Sequence, residues 1–299
     1  MSMNRSYILN VARGDLNADF VSIDAQRIRD IAWPAEQDSG MSIELPWCDA
    51  SNPGGALEFL VVMGSLNFRF WDVNGDGTLQ RYKRGTKTGA RALWGAFEEY
   101  WGGDSGIFFR RLKSPEIGFE RVFGDMPFPE QRIEILESIE ASGRLAGLCR
   151  ELCVEITRAD RVTVEHANAL AQAFPLAFCD PYLKKAQLTI SMFAGYLRGV
   201  EHRVDTSDLV AFADYQVPRV LRALGVLRYS PALAALVDGG SLIEEDSAAE
   251  KAIRAGTIVA CEQIAEATGA SAADVDNWLW QAQDVAGDSR FHLTATTRY

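Results

Sequence analysis

The chain has 299 residues, of which 47% are hydrophobic and 24% are charged, and its formal net charge is −11. This composition predicts a globular, soluble, cytoplasmic protein with a large buried core, and it disfavours stable binding to nucleic acid because the chain repels polyanions. No stretch approaches the roughly 18 uncharged apolar residues of a membrane span, so we expect no membrane association.

The predicted elements begin with a small β element. The segments LEFLVVM (57–63) and LNFRFW (66–71) are apolar and β-prone, and TLQRY (78–82) returns as the next strand after the turn NGDG (74–77). From about Arg91 onward, apolar residues recur at helical spacing. Helices are predicted over 130–142, 143–158, 161–173, 183–199, 216–227, 231–238, 246–267 and 271–284.

These elements predict a mostly α (α+β) fold in one domain that spans 1–299. Its N-terminal part, 1–88, carries the predicted antiparallel β-hairpin, and 89–299 forms the helical part. No repeat and no low-complexity linker divides the chain.

Metal and cofactor signatures are weak. DVNGDG (72–77) begins like a calcium loop, but Lys83 stands where the loop needs glutamate, and Asn-Gly and Asp-Gly favour a plain hairpin turn. The histidines lack ligand spacing and the cysteines lack CxxC pairs, so we interpret the cysteines as reduced core thiols and expect no metal and no cofactor. These residues are His166, His202 and His292, and Cys48, Cys149, Cys153, Cys179 and Cys261.

One dense basic run, RYKRGTK (81–87), interrupts the acidic chain. A solvated loop or hairpin explains this run as well as a phosphate site does. Both interpretations stay open, because a few local cations can hold one small anion despite the overall negative charge.

Asp214 lies between an apolar run and a proline-bearing helix start, in AFADYQVPRV (211–220). Its carboxylate fits a helix cap for the amides near Val217, and Pro218 fits the first turn of that helix. It equally fits a functional acid in an apolar pocket, because one oxygen can cap the helix while the other faces a ligand.

The segment FADYQVPRVLRALGVLRYS (212–230) resembles the FADYRxPQxLxxxGxLxYS signature of the queuosine salvage proteins. Further ordered matches extend the likeness along nearly the full chain. They are LNFRFW (66–71), Arg81 and Tyr82 with Gly85 and Gly89, LKKAQL (183–188), Ile253 with Arg254, DNWLW (276–280), and Phe291 with His292.

This resemblance implies a helical fold related to DNA glycosylases and an N-glycosidase activity. The implied reaction hydrolyses queuosine 5′-phosphate and releases queuine, a 7-deazaguanine base, for reinsertion into transfer RNA. The implied partner is therefore a small nucleotide, and no cofactor is needed.

The resemblance also implies roles for individual residues. Asp214 would bind the base with the ring of Phe212 stacked on it, and Asp276 would be a second acid at the base or ribose. Lys184 or Lys185 would meet the phosphate as a point charge. Ala213, Tyr215 and Trp280 complete the predicted binding residues.

The chain departs from the family pattern at several positions. Gln281 stands where the family's DYYLWD motif ends in an aspartate that we expect to be catalytic, and a neutral amide cannot replace its charge. Asp284 is a candidate substitute on the same helix face. Arg91 stands where the family has tryptophan, and PWCD (46–49) lies near the place of a base-contacting histidine.

Three functions therefore remain under consideration. The first is an active N-glycosidase for queuosine 5′-phosphate or a related nucleotide. The second is a relative that binds a nucleoside, nucleotide or base without cleaving it, because Gln281 replaces the expected aspartate. The third, a DNA-repair glycosylase, is disfavoured by the net charge of −11.

Overall fold

The computed structural model describes residues 3–31, 33, 43–45, 48 and 53–299. Within these residues the fold is mostly helical with short antiparallel strand pairs, as the sequence predicted. The helices are α1 (Arg5–Asp15), α2 (Ala25–Asp30), α3 (Pro53–Ser65), α4 (Ala90–Tyr100), α5 (Ser105–Lys113), α6 (Gly118–Phe123), α7 (Pro129–Ala141), α8 (Leu145–Ala159), α9 (Val164–Ala173), α10 (Pro175–Phe178), α11 (Lys184–Gly199), α12 (Val217–Ala223), α13 (Pro231–Gly239), α14 (Ala248–Thr268) and α15 (Ala272–Gln281), followed by a 3₁₀ turn (Gln283–Ala286).

The strands form three separate antiparallel pairs. The pairs are β1 (Val21–Ile23) with β6 (Leu227–Tyr229), β2 (Trp71–Val73) with β3 (Leu79–Arg81), and β4 (Lys83–Arg84) with β5 (Lys87–Thr88).

None of the helices in the described ranges is long and apolar enough to cross a bilayer.

The prediction of a strand at 57–63 is wrong, because this segment lies inside helix α3. Helix α3 packs against both α8 and α11, and every residue from Phe59 to Ser65 is buried. A helix buried on all sides has no polar face, so its apolar run gives the same signal as a buried strand. The N-terminal part therefore contributes a central helix to the core rather than only a β element.

The second predicted strand, 66–71, is paired only from Trp71 onward. The guanidinium of buried Arg132 donates hydrogen bonds to the carbonyl oxygens of Leu66, Phe68 and Arg69 and so holds this segment in an irregular conformation. Burial lowers the pKa of Arg132 to about 9. This buried cation fixes the backbone around Asn67, which reaches the candidate site described below.

The two predicted hairpins are present. Asn74 accepts a hydrogen bond from the amide of Gly77, which has a φ of 80°, and β3 then returns along β2. The basic run 81–87 forms the β4–β5 hairpin, in which Arg84 pairs with Glu99 and Lys87 with Glu98. The hairpin interpretation of this run is thus confirmed for the residues beyond Arg81.

The helical predictions from 130 onward correspond to α7 to α9 and α11 to α15 within a few residues, the largest difference is at 216–227, and the short helix α10 was not predicted. Helix α12 ends at Ala223, since Gly225 has a φ of 78° and the chain then enters β6. Cys149, Cys153 and Cys261 are buried free thiols, as expected of core cysteines, Cys48 is half-buried, and Cys179 is exposed.

Two long helices organise the core. Helix α11 packs against α3 and α9, and α14 packs against α1 and α15. Helices from 1–88 thus contact helices from 89–299 directly. The candidate site lies where α11 and the chain before α12 meet α15.

The close approach of α3 to α11 depends on Gly64, because a Cβ atom there would lie 2.1 Å from Oγ1 of Thr189. We expect Gly64→Ala to lower the free energy of unfolding by about 1–3 kcal/mol through overpacking. Urea denaturation would measure this change. Gly55→Ala, at an open position of the same helix, is the matched control and should not destabilise. Thr189→Ala should restore part of the loss, and an unchanged stability of Gly64→Ala would contradict the packing argument.

Candidate functional site

Two adjoining cavities of about 380 and 210 Å³ open beside the start of α12. The larger cavity has mostly apolar walls, and the smaller one has mostly polar walls. They share a boundary that is formed by Asn67, Ala90, Arg91, Asp214, Trp280 and Gln281.

The larger cavity, here called the apolar cavity, is enclosed by helices α3, α4, α11 and α15. Its charged lining residues are Lys184, Asp214, Asp276 and, at the boundary, Arg91. Its uncharged lining residues include Met63, Leu93, Trp94, Leu188, Met192, Phe212 and Asn277. Charges beside apolar walls interact more strongly than charges in bulk water, because the effective dielectric constant of their surroundings is lower.

Asp214 uses its two carboxylate oxygens differently. Oδ1 accepts hydrogen bonds from the amides of Gln216 at 2.7 Å and Val217 at 3.1 Å. These amides lie at the start of α12, where backbone N–H groups have no acceptor inside the helix. Oδ2 lies 3.9 Å from Nζ of Lys184. The side chain therefore caps the helix with one oxygen while it lines both cavities, so the predicted cap contacts exist and the second oxygen remains available to a ligand.

Lys184 is the first residue of α11 and is only 3% exposed. Its amide donates to Oδ2 of Asp180 at 2.7 Å, which fixes the helix start. Burial lowers the pKa of the Lys184 ammonium, and the charges of Asp214 and Asp276 oppose that shift. The lysine thus supplies positive charge beside the two acids, inside the apolar cavity.

Asp276 lies on α15 and is 4% exposed. Its Oδ1 accepts a hydrogen bond from the amide of Phe212 at 2.9 Å. Burial, followed by the negative charge of Asp214, raises the pKa of Asp276 to about 8, and the Phe212 and Lys184 contacts oppose this rise. This raised pKa favours the protonated form of Asp276 beside Asp214.

The other residues predicted for the site fall into two groups. Phe212, Tyr215, Trp280 and Gln281 line one or both cavities. Ala213 and Lys185 line neither, since the Ala213 carbonyl accepts from Nε of Arg254 at 3.2 Å and Nζ of Lys185 donates to the Ser65 carbonyl at 2.9 Å. Lys185 is 2% exposed, and its ammonium lies over the ring of Phe68. This geometry gives no support to a ligand contact by the Lys185 side chain.

The segment PWCD (46–49) was predicted to lie near the place of the family's base-contacting histidine. Its residues Pro46, Trp47 and Asp49 lie outside the described residues, so this expectation stays a prediction.

Sequence reasoning missed much of the apolar lining. Leu188 and Met192 follow Lys184 at intervals of four along α11, so they share its helix face. Following this spacing from Lys184 would have found them. Met63 and Trp94 had no such signal, because they come from helices distant in sequence.

The smaller cavity, here called the polar cavity, contains residues from the β2–β3 hairpin, α4 and the C-terminal segment. Arg81, Arg91 and Asp284 are its exposed charged residues, and Asp284 lies in the 3₁₀ turn that follows α15 rather than on the helix that ends at Gln281. Within the described residues, no cluster of histidine, cysteine, aspartate or glutamate has a geometry that would hold a metal ion.

This arrangement suits a ligand with a flat, apolar ring and polar edges. Phe212 and Trp280 contribute aromatic rings to the lining, Asp276 is an acid with a raised pKa, and Asp214 lies at the boundary of the two cavities. A positive charge that develops on the ligand near Asp214 would be stabilised by this carboxylate.

Comparison with known proteins finds one matching family model and two similar proteins of known name. The sequence model of the family described as "Queuosine salvage protein" matches residues 49–299. A relative from Sphaerobacter thermophilus, named queuosine 5′-phosphate N-glycosylase/hydrolase, is 28% identical over 284 residues, which cover 86% of this chain and 84% of the relative. A relative of the same name from Dictyostelium discoideum is 24% identical and covers 81% of this chain and 78% of its own.

The carboxyl pair makes a direct prediction about protonation. We expect the Asp276 side chain to be protonated at pH 7 and to titrate near pH 8, and we expect Asp214→Asn to lower the pKa of Asp276 by removing a neighbouring negative charge. Carbon-13 NMR of labelled aspartate side chains would follow the titration, with Asp276→Asn to assign the signal. A signal that titrates near pH 4 would contradict this electrostatic account.

Proposed function

The chain belongs to the queuosine salvage protein family, and on that premise we propose that it hydrolyses the N-glycosidic bond of queuosine 5′-phosphate or a related 7-deazaguanine nucleotide. The released base, queuine, would then be available for reinsertion into transfer RNA. The observation that carries the proposal is the convergence of Asp214, Asp276 and Lys184 in one apolar cavity.

The base occupies the apolar cavity in this proposal. A cavity of about 380 Å³ has the size expected of a pocket for a small ligand, and Phe212 and Trp280 provide faces for stacking. A 7-deazaguanine has no N7 to accept a proton, so its departure must be helped at another polar edge. Asp276 lines this cavity and has a raised pKa, so its protonated form would donate a hydrogen bond to such an edge.

The ribose lies at the boundary between the cavities, next to Asp214. When the bond between C1′ and the base nitrogen breaks, its electron pair leaves with the base and positive charge develops on C1′ and the ring oxygen. The Asp214 carboxylate stabilises that charge. A water molecule then adds its oxygen to C1′ and gives up one proton, and the base gains one proton, so the products are ribose 5-phosphate and queuine.

Gln281 supports a second candidate, a protein that binds the nucleotide without cleaving it. Gln281 lies on the boundary of the two cavities, where the family resemblance leads us to expect a carboxylate, and an amide cannot supply negative charge there. Asp284 lines the adjoining wall and is a candidate to supply the charge instead. Asp284→Asn would lower turnover if it does, whereas Gln281→Asp would raise turnover if the missing charge limits the rate.

The proposal predicts free queuine after incubation of the purified protein with queuosine 5′-phosphate, detected by chromatography. Asp214→Asn should lower kcat by about 10²–10³-fold, because it removes a preorganised charge that acts on the transition state. Lys113→Gln, an exposed substitution on α5 outside both cavities, is the control for handling and folding. Recovery of intact nucleotide that is bound to the wild-type protein would favour the second candidate.

The rate should also depend on the proton of Asp276. Because the protonated form is active and the pKa of Asp276 is raised to about 8, kcat should be maintained below that pH and fall as the pH rises through it. Asp276→Asn keeps a hydrogen-bond donor but cannot ionise, so its lower rate should not show this fall. Rate profiles between pH 6 and 10 would test the assignment, which fails if the alkaline fall persists in Asp276→Asn.

A further inference from the structure

We propose that Arg81 and Arg91 form a phosphate-binding subsite in the polar cavity. The protein would thus bind the 5′-phosphate of its ligand with two guanidinium groups rather than with a lysine. The inference rests on the proposed function for the identity of the full ligand. It rests on the two arginines and their surroundings for the subsite itself.

Each of the two arginines lies over an aromatic ring of the polar cavity. The guanidinium carbon of Arg81 is 5.3 Å from the ring centroid of Phe291, and that of Arg91 is 5.7 Å from the ring centroid of Trp280. A contact between a guanidinium and the face of an aromatic ring uses none of the N–H groups as conventional hydrogen-bond donors. Phe291 and Trp280 therefore hold both side chains at the cavity and leave N–H groups free to donate.

Neither arginine forms an ion pair or a side-chain hydrogen bond with residues in the described ranges, although many arginines of this acidic chain do. Arg84, Arg222 and Arg254 illustrate the usual pattern, in which the guanidinium meets a carboxylate. Exposed arginines without an acidic partner also occur elsewhere on the surface. What distinguishes Arg81 and Arg91 is that both line one cavity that continues into the proposed base site.

The lysines are less suited to this task. Nζ of Lys184 lies 3.9 Å from Asp214 inside the apolar cavity, and Lys185 is engaged with the Ser65 carbonyl. A phosphate carried into the apolar cavity would lose hydration and meet two acids, Asp214 and Asp276. The polar cavity avoids that cost, because its lining includes exposed arginines and further polar side chains.

The two cavities also meet in the order that a nucleotide requires. The apolar cavity holds the base, the shared boundary at Asp214 and Gln281 meets the ribose, and the polar cavity beyond it receives the group on the 5′ carbon. The uncapped first turn of α4, at Ala90 and Arg91, adds partial positive charge to the same wall. Asp284 is the one described acid in the polar cavity besides Asp214, and it opposes anion binding.

Calorimetric titration tests the subsite without any need for turnover. Ribose 5-phosphate should bind the wild-type protein and ribose should bind at least tenfold more weakly, while inorganic phosphate reports the anion contribution alone. Arg81→Gln and Arg91→Gln should each weaken the binding of ribose 5-phosphate by about 10- to 100-fold, which is the loss in affinity typical of a hydrogen bond to a charged group. Asp284→Asn should strengthen it, because this change removes the opposing charge.

Arg110→Gln, an exposed substitution on α5 outside the cavity, is the matched control and should bind ribose 5-phosphate like the wild type. Thermal unfolding of each variant checks the fold, and Arg91→Lys should recover part of the affinity if charge is what matters. Equal affinity of the wild type, Arg81→Gln and Arg91→Gln for ribose 5-phosphate would overturn the subsite. Failure to release queuine would instead overturn the proposed hydrolysis and leave these binding results unaffected.

Discussion

The bidentate ion pair between Arg254 and Asp180 holds together the segments that build the site. Both guanidinium–carboxylate distances are 2.8 Å, and both side chains are almost completely buried. Arg254 also donates to the carbonyl of Ala213, next to Asp214, while Asp180 accepts from the amide of Lys184. One buried ion pair, between Arg254 on α14 and Asp180 in the segment before α11, thus sets where the acid and the lysine of the cavity stand relative to each other.

The surroundings of this ion pair explain why it is tolerated in the core. The Arg254 guanidinium lies against the rings of Tyr182 and Tyr299, and Glu250, 3.7 Å away, accepts a hydrogen bond from the Tyr299 hydroxyl. Loss of one partner of such a pair leaves an uncompensated buried charge, which costs about 3–5 kcal/mol. The network is therefore both a structural anchor and the support on which the geometry of the cavity depends.

The chemistry of the site follows from placing two carboxyl groups with different surroundings side by side in a cavity with apolar walls. Asp214 has two amide donors and a nearby ammonium to stabilise its negative charge, whereas Asp276 has one amide donor and the adjacent charge of Asp214. Burial and the neighbouring negative charge raise the pKa of Asp276, so this acid is favoured in its protonated form. In the proposed reaction, such a pair would combine an anion for a developing positive charge with an acid for a leaving group.

The sequence by itself determined most of the helices from 130 onward, the hairpin turn at 74–77, the family resemblance and the capping position of Asp214, because these depend on local spacing and short motifs. It misassigned 57–63, since a helix buried on all sides carries no amphipathic period. It also could not separate Lys184 from Lys185, which are neighbours in the chain but point to different surroundings. Only the tertiary structure decided that Lys184 faces the acids, that Arg81 and Arg91 share one cavity, and that the pKa of Asp276 is raised. The physical reason is that burial and charge pairing depend on distances between segments far apart in the chain, which local sequence patterns do not encode.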